Sequence, residues 1–415
     1  MHSETVEVRG HLIDMGVLSR VLDDILEYSG DYTIDKFEVG KTPIDESYAR
    51  LSVRSEDPEV ISRIVMRLMT HGVNPTHPGE AVLGEVETDG VFPDDFYSTT
   101  NLETVVRLDG NWVPVENPEM DCGIVVVGDR ARTIAVSDVR AGDMVVCGAS
   151  GVKVVPLPTI DRSTGGFEFM NSEVSSEKPQ ALLVRQIAQQ MREVKEEGKK
   201  ILWVGGPAVV HTGAAPAMVS LVNAGYVDVL FAGNALATHD IEASLFGTSL
   251  GVDLTQGRGV EHGHEHHIRA INQIRKAGSI TKAVDSGVLK SGVMHALVTQ
   301  GKEWVLVGSV RDDGPLPDVH TDVIEGQRAM RAGLKDVGFA IMVATMLHSV
   351  ATGNILPASV PLVCVDINPA TVTKLADRGS AQARGIVTDI GLFLEQLALE
   401  LVPAYREGER PGSDA

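Results

Sequence analysis

The stretch Ile201 to Glu242, ILWVGGPAVVHTGAAPAMVSLVNAGYVDVLFAGNALATHDIE, decides the fold class. It opens with an apolar run, Ile201-Leu202-Trp203-Val204, that stops at Gly205-Gly206-Pro207. An apolar run closed by glycine and proline reads as a buried strand ending in a turn. The segment Ala215 to Gly225 then reads as a helix. Pro216 suits its first turn, where a missing N–H costs nothing, and Gly225 suits its C-terminal stop. A second apolar run, Val227 to Phe231, ends at Ala232-Gly233-Asn234. Strand, glycine loop, helix and strand make a βαβ unit, whose parallel strands bind ligands at their carboxyl ends. The glycines do not spell G-x-G-x-x-G, so the segment alone fits a structural unit as well as a nucleotide site.

The pattern continues downstream. Helices are expected at 181–198, 266–278, 292–301, 321–334, 369–379 and 390–402, and strands at 304–307, 337–343, 361–365 and 385–388. About six strands alternating with helices predict a doubly wound parallel sheet over 181–405. Upstream, Thr5 to Arg9 alternates like a half-buried strand, and Val17, Leu18, Val21, Leu22, Ile25 and Leu26 form one helical stripe. Strands are expected again at 32–39 and 47–53. Asp57-Pro58-Glu59 starts a helix that runs to Gly72, with 81–86 as the closing strand. This βαββαβ order predicts a ferredoxin-like α+β module over 1–90. Such modules bind small molecules or pair with one another, so a homo-oligomer is expected. Short β-like runs separated by turns predict a small β subdomain over 91–158. The polar segment 159–180 reads as a linker, with Arg162 and Lys178 as candidate anion contacts, and 406–415 as a charged, frayed tail.

Composition narrows the function classes. The formal net charge is −21, which argues against nucleic acid as a partner because phosphates would be repelled. The chain has 3 cysteines, too few and too widely spaced for a disulfide framework, which suits a reducing cytoplasm. The N-terminus shows no signal-peptide core, and no apolar run reaches the ~20 residues of a membrane helix. A soluble cytoplasmic protein is the expectation.

Polar residues collect just past the predicted strand ends: Asn234-Ala235 with His239-Asp240, Arg311-Asp312-Asp313, Thr345 to His348, Asp366-Ile367-Asn368 and Asp389. Asp366, directly after an apolar strand, stands where dinucleotide folds hold a ribose diol. Thr345 to His348 are placed to offer backbone N–H groups to phosphates. Any one of these positions also suits a helix cap, and Asn368 before Pro369 is read as one. The run Glu261 to His267 (EHGHEHH) brings histidines within a helical turn of one another but lacks H-E-x-x-H. It is read as a helix start, solvated or lining a pocket, with no metal assigned.

Several long motifs carry a family resemblance. RGHLIDMGVLSRVLDDILEYSGDYTIDKFEVGKTPIDESYARLSV resembles the region shared with lysine-ketoglutarate reductase/saccharopine dehydrogenase proteins. VDVLFAGNALATHDIE, GSVRDDGPLPD, ATMLHSVATGNILP and VDINPATVTKLADRGS together resemble the archaeal-type ornithine cyclodeaminases. They are also similar to the C-terminal part of cyanobacterial arginine dihydrolase/ornithine cyclodeaminase proteins. The run VDVLFAGNALATHD is faintly similar to deoxyhypusine synthase. The resemblance covers nearly the whole chain. It implies a Rossmann-like domain with tightly held NAD, contacted by Asn234, Ala235, Asp313, Thr345, Met346, Leu347, His348, Asp366, Asp389 and Ile390. It further implies an ammonia-lyase that turns ornithine into proline through an internal hydride shuttle. Asp240, His239 and Asp312 are the candidates for proton transfer. The competing readings are a saccharopine-type amino-acid dehydrogenase that exchanges NAD with solvent, and an amino-acid sensor without turnover.

Overall fold

The computed structural model describes residues 2–10, 12–13, 16–41, 45–155, 180–254, 263–312, 314–377 and 383–405. The chain forms two compact units, Met1–Asn171 with Asn354–Ser359, and Ser172–Gly353 with Val360–Ala415.

In the first unit, β1 (His2–Gly10), α1 (Val17–Glu27), β2 (Asp31–Glu38), β3 (Ser47–Ser55), α2 (Pro58–Met69) and β4 (Asn74–Pro75) follow one another. Their strands form an antiparallel sheet in the order β2-β3-β1-β4. Alternation puts Val6, Val8, Ala49, Leu51 and Val53 on the buried face, in one core with Val21 and Ile25 of α1 and Ile64, Val65 and Leu68 of α2. Asp57 caps α2 as read, its Oδ1 accepting from Glu59 N at 2.8 Å. The closing strand differs from the expectation at 81–86. The chain leaves α2 close to β1, so the two residues of β4 pair at once with Val6 and Glu7.

Residues 82–85 instead form β5 (Val82–Glu85), the edge of a second sheet. Its other strands are β6 (Thr104–Leu108), β7 (Asn111–Glu116), β8 (Gly123–Val127), β9 (Arg130–Ile134), β10 (Met144–Cys147) and β11 (Val152–Val154). The order is β11-β6-β7-β9-β8-β10-β5. Val106, Ile124, Val146 and Val152 of this sheet share the core of the first sheet.

The second unit runs α3 (Gln180–Glu196), β12 (Lys200–Gly205), α4 (Ala208–His211), α5 (Ala215–Asn223), β13 (Val229–Gly233) and α6 (Asn234–Phe246). It continues with β14 (Thr248–Ser249), β15 (Val252–Asp253), a 3-10 turn, α7 (His266–Ala277), α8 (Ile280–Asp285), α9 (Val293–Thr299), β16 (Glu303–Val307) and β17 (Val319–His320). It ends with α10 (Val323–Gly333), β18 (Val337–Val343), α11 (Met346–Ile355), β19 (Leu362–Asp366), α12 (Pro369–Asp377), β20 (Ala383–Val387) and α13 (Ile390–Leu401). The sheet order is β17-β16-β13-β12-β18-β19-β20, and every pairing is parallel. This is the expected doubly wound parallel sheet, with the short β17 added beside β16. Its central strands are buried on both faces, and Phe231 and Phe339 are wholly inside; each such burial contributes roughly 1.5–3 kcal/mol.

From β12 the chain winds outward through β13, β16 and β17, then returns to lay β18 on the other side of β12. The two halves diverge between β12 and β18. That divergence opens a crevice at the carboxyl ends, the position where open α/β sheets take ligands. Three elements in the β13–β16 connection had no counterpart in the sequence reading: α6, the β14–β15 hairpin and α8.

Candidate active site

The crevice floor is set by backbone contact. Gly206 N donates to Val343 O at 2.9 Å, so the loop after β12 is tied to the end of β18. A Cβ on Gly206 would lie 1.8 Å from the carbonyl oxygen of Ala344, which makes glycine obligatory. Ala344 itself sits at φ 53, a left-handed conformation that costs a non-glycine residue about 1 kcal/mol or more and turns the chain into α11.

Around this floor the structure places the expected residues as follows. Asn234, the first residue of α6, is buried, and its Oδ1 accepts from Leu316 N at 3.0 Å, pinning the loop after β16. Ala235 is half-buried in the first turn of α6, whose N-terminus has no side-chain cap. Thr345 and Met346 are half-buried at the start of α11, while Leu347 is 71% exposed. His348 reaches across to the ends of β13 and β16, its Cε1 lying 3.2 Å from where a Cβ on Gly233 would stand. Burial holds the His348 imidazole below its ordinary value, against a hydrogen bond with the Val307 carbonyl and the charge of Asp312. His348 is therefore neutral at pH 7.

On the far side of the switch point, Asp366 is buried at the end of β19. Its Oδ1 accepts from Asn368 N at 2.8 Å, and no described group donates to Oδ2. Asn368 caps α12 as read, accepting from Ala370 N at 3.0 Å. Asp389 caps α13 through Leu392 N at 2.9 Å, and Ile390 begins that helix, buried. Asp312 closes its own turn, accepting from Ser309 N at 2.8 Å. Asp313 lies outside the described residues, as do Arg162, Lys178 and His262.

The pair His239-Asp240 separates. Adjacent helical residues point about 100° apart, so both cannot face one site. Asp240 turns toward α9 and is 1% exposed. Its two oxygens accept from Val293 N and Met294 N, each at 2.8 Å. Gly292, at φ 99, permits this approach, since a Cβ there would lie 2.8 Å from both oxygens. Burial pushes the Asp240 carboxyl up to about 6 in spite of the two donors. Asp240 thus ties α6 to the first turn of α9 through both of its carboxylate oxygens.

His239 faces the other way, into a polar cluster that the sequence reading missed. Its Nδ1 lies 2.8 Å from Glu242 Oε2, one helical turn on. Glu242 is fully buried. Its Oε1 accepts from Thr248 Oγ1 at 2.9 Å and Gly251 N at 3.0 Å, and Leu250 N approaches Oε2 at 3.3 Å. Thr248 Oγ1 also lies 2.8 Å from His266 Nδ1. The His211 ring stands edge-on to His239 at 4.8 Å between centroids, and the His267 ring lies at 6.3 Å. His211 Nδ1 is 2.6 Å from Ser249 Oγ. His266 and His267 of the histidine run therefore join this polar cluster. Among the described residues no group of three or more His, Cys, Asp or Glu could hold a metal ion. The sequence signal for Glu242 was its i,i+3 spacing from His239; Thr248 and Ser249, on an unexpected hairpin, gave none.

Three family models cover the chain in sequence. Residues 3–102 match the LOR/SDH bifunctional enzyme conserved region, 103–184 the first C-terminal region of arginine dihydrolase ArgZ-like proteins, and 185–397 the Rossmann fold of that C-terminal part. The chain is 51% identical over 403 residues to the ornithine cyclodeaminase of Methanothermobacter thermautotrophicus, covering 97% of this chain and 98% of the relative. It is similar in structure to apo ArgZ, a cyanobacterial arginine dihydrolase, with TM-score 0.84, 36% identity and coverage of 98% of this chain and 59% of that one. It is also similar to AgrE of Nostoc in its ternary complex with ornithine and NAD+, with TM-score 0.53, 40% identity and coverage of 96% and 57%. Among the described residues no helix is long and apolar enough to cross a membrane.

Proposed function

This chain belongs to the archaeal-type ornithine cyclodeaminase family, and from that membership we propose that it converts L-ornithine to L-proline and ammonia with bound NAD. The observation that carries the reading is local. A switch-point crevice opens between β12 and β18, and a histidine–carboxylate pair follows the strand next to it, because α6 leaves β13, the neighbour of β12, and carries His239 roughly 9 Å beyond the end of β13.

The crevice fits a dinucleotide. The closely packed Gly206–Ala344 backbone shapes its floor, the uncapped N-terminus of α6 offers N–H groups and positive dipole to an anion, and Asp366 keeps one oxygen for a ribose diol. Asn234, Ala235, the 345–348 turn, Asp366 and the start of α13 would hold it. Bound there, NAD supplies a hydride acceptor that gives back what it takes, which is why a reaction without net redox change can use it.

The chain's own residues handle protons and water. Both amino groups of ornithine are ammonium ions at neutral pH and are unreactive until deprotonated. Imidazole is the side chain suited to taking and returning a proton near pH 7. His239 is assigned that task, with Glu242 orienting it. Asp240 holds the α9 end in place and Asp312 shapes the 308–312 turn. Burial of His239 and Glu242 keeps bulk water from the reactive carbon–nitrogen bond.

The test follows a label. With α-deuterated ornithine and less NAD than protein turns over, deuterium is expected at the α-carbon of proline through many turnovers. Product capped at one equivalent of cofactor, or proline without deuterium, overturns the reading; reduced nucleotide accumulating in solution points to a dehydrogenase instead.

A further inference from the structure

The buried cluster on α6 has a hydrogen-bond order that leaves little freedom. Glu242 meets four groups: His239 Nδ1, Thr248 Oγ1 and the backbone N–H of Leu250 and Gly251. The two backbone groups can only donate. Leu250 at φ 53 and Gly251 at φ 71 form a left-handed turn that aims both N–H bonds at the carboxylate. An acceptor-only carboxylate takes the single hydroxyl proton of Thr248 as well, so Thr248 must accept from His266, which then carries its proton on Nδ1. His239 likewise must place its proton on Nδ1. Burial alone would raise the Glu242 carboxyl, but His239 and the other donors outweigh it and hold the group below its ordinary value.

We infer that Glu242, steadied by Thr248, is the positioning residue that fixes His239 with its proton on Nδ1 and leaves Nε2 as the atom that exchanges protons with the substrate's amines. This inference rests on the reading of His239 as the base. The reaction supplies the reason for such a lock. Ornithine as a monocation, with two ammonium groups and a carboxylate, gives proline zwitterion plus ammonium, so no proton is gained or lost overall. Protons taken from the amines must be returned to the departing ammonia and the ring nitrogen. A buried base with one defined basic nitrogen does this without trading its proton with solvent. Glu242 itself stays ionised and stabilises the imidazolium, as a carboxylate does in hydrolase triads.

The other titratable groups packed on His239 are His211 from α4 and His267 from α7, while His266 of α7 joins the cluster through Thr248. Burial first, and then the neighbouring His239, push His211 down to about 4, so it remains neutral and adds no positive charge beside a protonated His239.

The experiment uses the full-length protein loaded with NAD. Glu242→Gln removes the charge while keeping the shape, and turnover should fall on the order of a thousandfold, with the acid limb of the kcat/KM profile moved to lower pH. Thr248→Val should lose about tenfold, and Thr248→Ser should restore it. Histidine-labelled ¹⁵N NMR of the unaltered protein, with the His239 signals assigned by their loss in His239→Gln, should show a protonated Nδ1 and a bare Nε2. An Nε2-protonated neutral ring overturns the inference, even if Glu242→Gln does not fold. So does an unchanged pH profile in a folded Glu242→Gln. If the unaltered protein makes no proline, the proposed function fails instead, while the NMR result still decides the tautomer.

Discussion

The two edges of the parallel sheet treat charge differently. At the amino edge, Asp228 precedes β13 and accepts from Lys302 Nζ at 2.8 Å, from Lys195 Nζ at 3.3 Å and from Ile201 N at 3.0 Å. Lys200 at the start of β12 meets Glu303 at the start of β16 at 2.7 Å. Here anion meets cation. At the carboxyl edge, Glu242, Asp240 and Asp366 take only imidazole, hydroxyl and backbone N–H donors, and among the described residues no lysine or arginine pairs with them. A carboxylate neutralised by a cation is finished electrostatically. One held by neutral donors keeps its negative potential for an imidazolium or an ammonium substrate. The amino edge thus pairs its carboxylates with cations, and the carboxyl edge leaves its own to neutral donors.

The sharpest way to break that distinction is His239→Gln. Loss of a general base should cut turnover by 10²–10⁴-fold, while melting temperature and NAD affinity stay close to those of the unaltered protein. Steady-state kinetics beside a thermal melt decides it. A large stability loss with little kinetic change would return His239 to the scaffold and erase the contrast between the edges.

The opposite edge predicts the opposite pattern. Asp228→Asn leaves Lys302 and Lys195 without their anion and should lower unfolding free energy by about 2 kcal/mol, with turnover per folded molecule unchanged. Burial would raise the Asp228 carboxyl, but Lys302, Ile201 N–H and Lys195 together hold it below its usual value. A depressed folded-state value means that stability is present above the unfolded carboxylate range, near 3.9, and is lost as pH falls through the folded value. The stability gap between Asp228→Asn and the parent should therefore be full at pH 7 and shrink on acidification below about 4. A gap that persists unchanged to pH 2 would mean that packing, not charge, is what Asp228 supplies.

Much of this contrast was open to a reader of the sequence, and the rest was hidden for definite reasons. Apolar strands buried on both faces read clearly at Ile201–Val204, Val337–Val343 and Leu362–Val365, so the sheet and its carboxyl edge followed. Asp57 and Asn368 read as caps because proline follows each of them. The roles of neighbours on one helix did not read. His239 and Asp240 look like a pair in the chain, yet the helix turns them apart, and the true partner of His239 is Glu242 at i,i+3. Glu242 in turn depends on Thr248, Leu250 and Gly251, whose hairpin is too short to show periodicity. The closing strand of the N-terminal sheet failed similarly: two residues, Asn74–Pro75, carry no alternation to detect.

The smallest expected effect tests the far rim of the crevice. Asp366 stands apart from both groups already compared, since one oxygen is engaged by Asn368 N and the other by no described group. A residue serving only as a local turn would show its cost in stability, because Asn368 N–H would lose its acceptor while the crevice kept its ligand contacts. A residue holding a ribose diol would show its cost in cofactor affinity, since a charged acceptor is worth roughly 1.5–3 kcal/mol to a hydrogen bond. Asp366→Ala is expected to weaken NAD binding by about tenfold or somewhat more and to lower the melting temperature only slightly. Asp366→Asn, which can still accept from Asn368 N, should keep the melting temperature and recover only part of the affinity. Calorimetric titration of stripped protein with NAD reads the first quantity, and a melt of the same sample reads the second. Unaltered affinity in a destabilised Asp366→Ala would place Asp366 with Asp57 and Asp389 as a backbone cap, and the ribose contact would have to come from elsewhere on the rim.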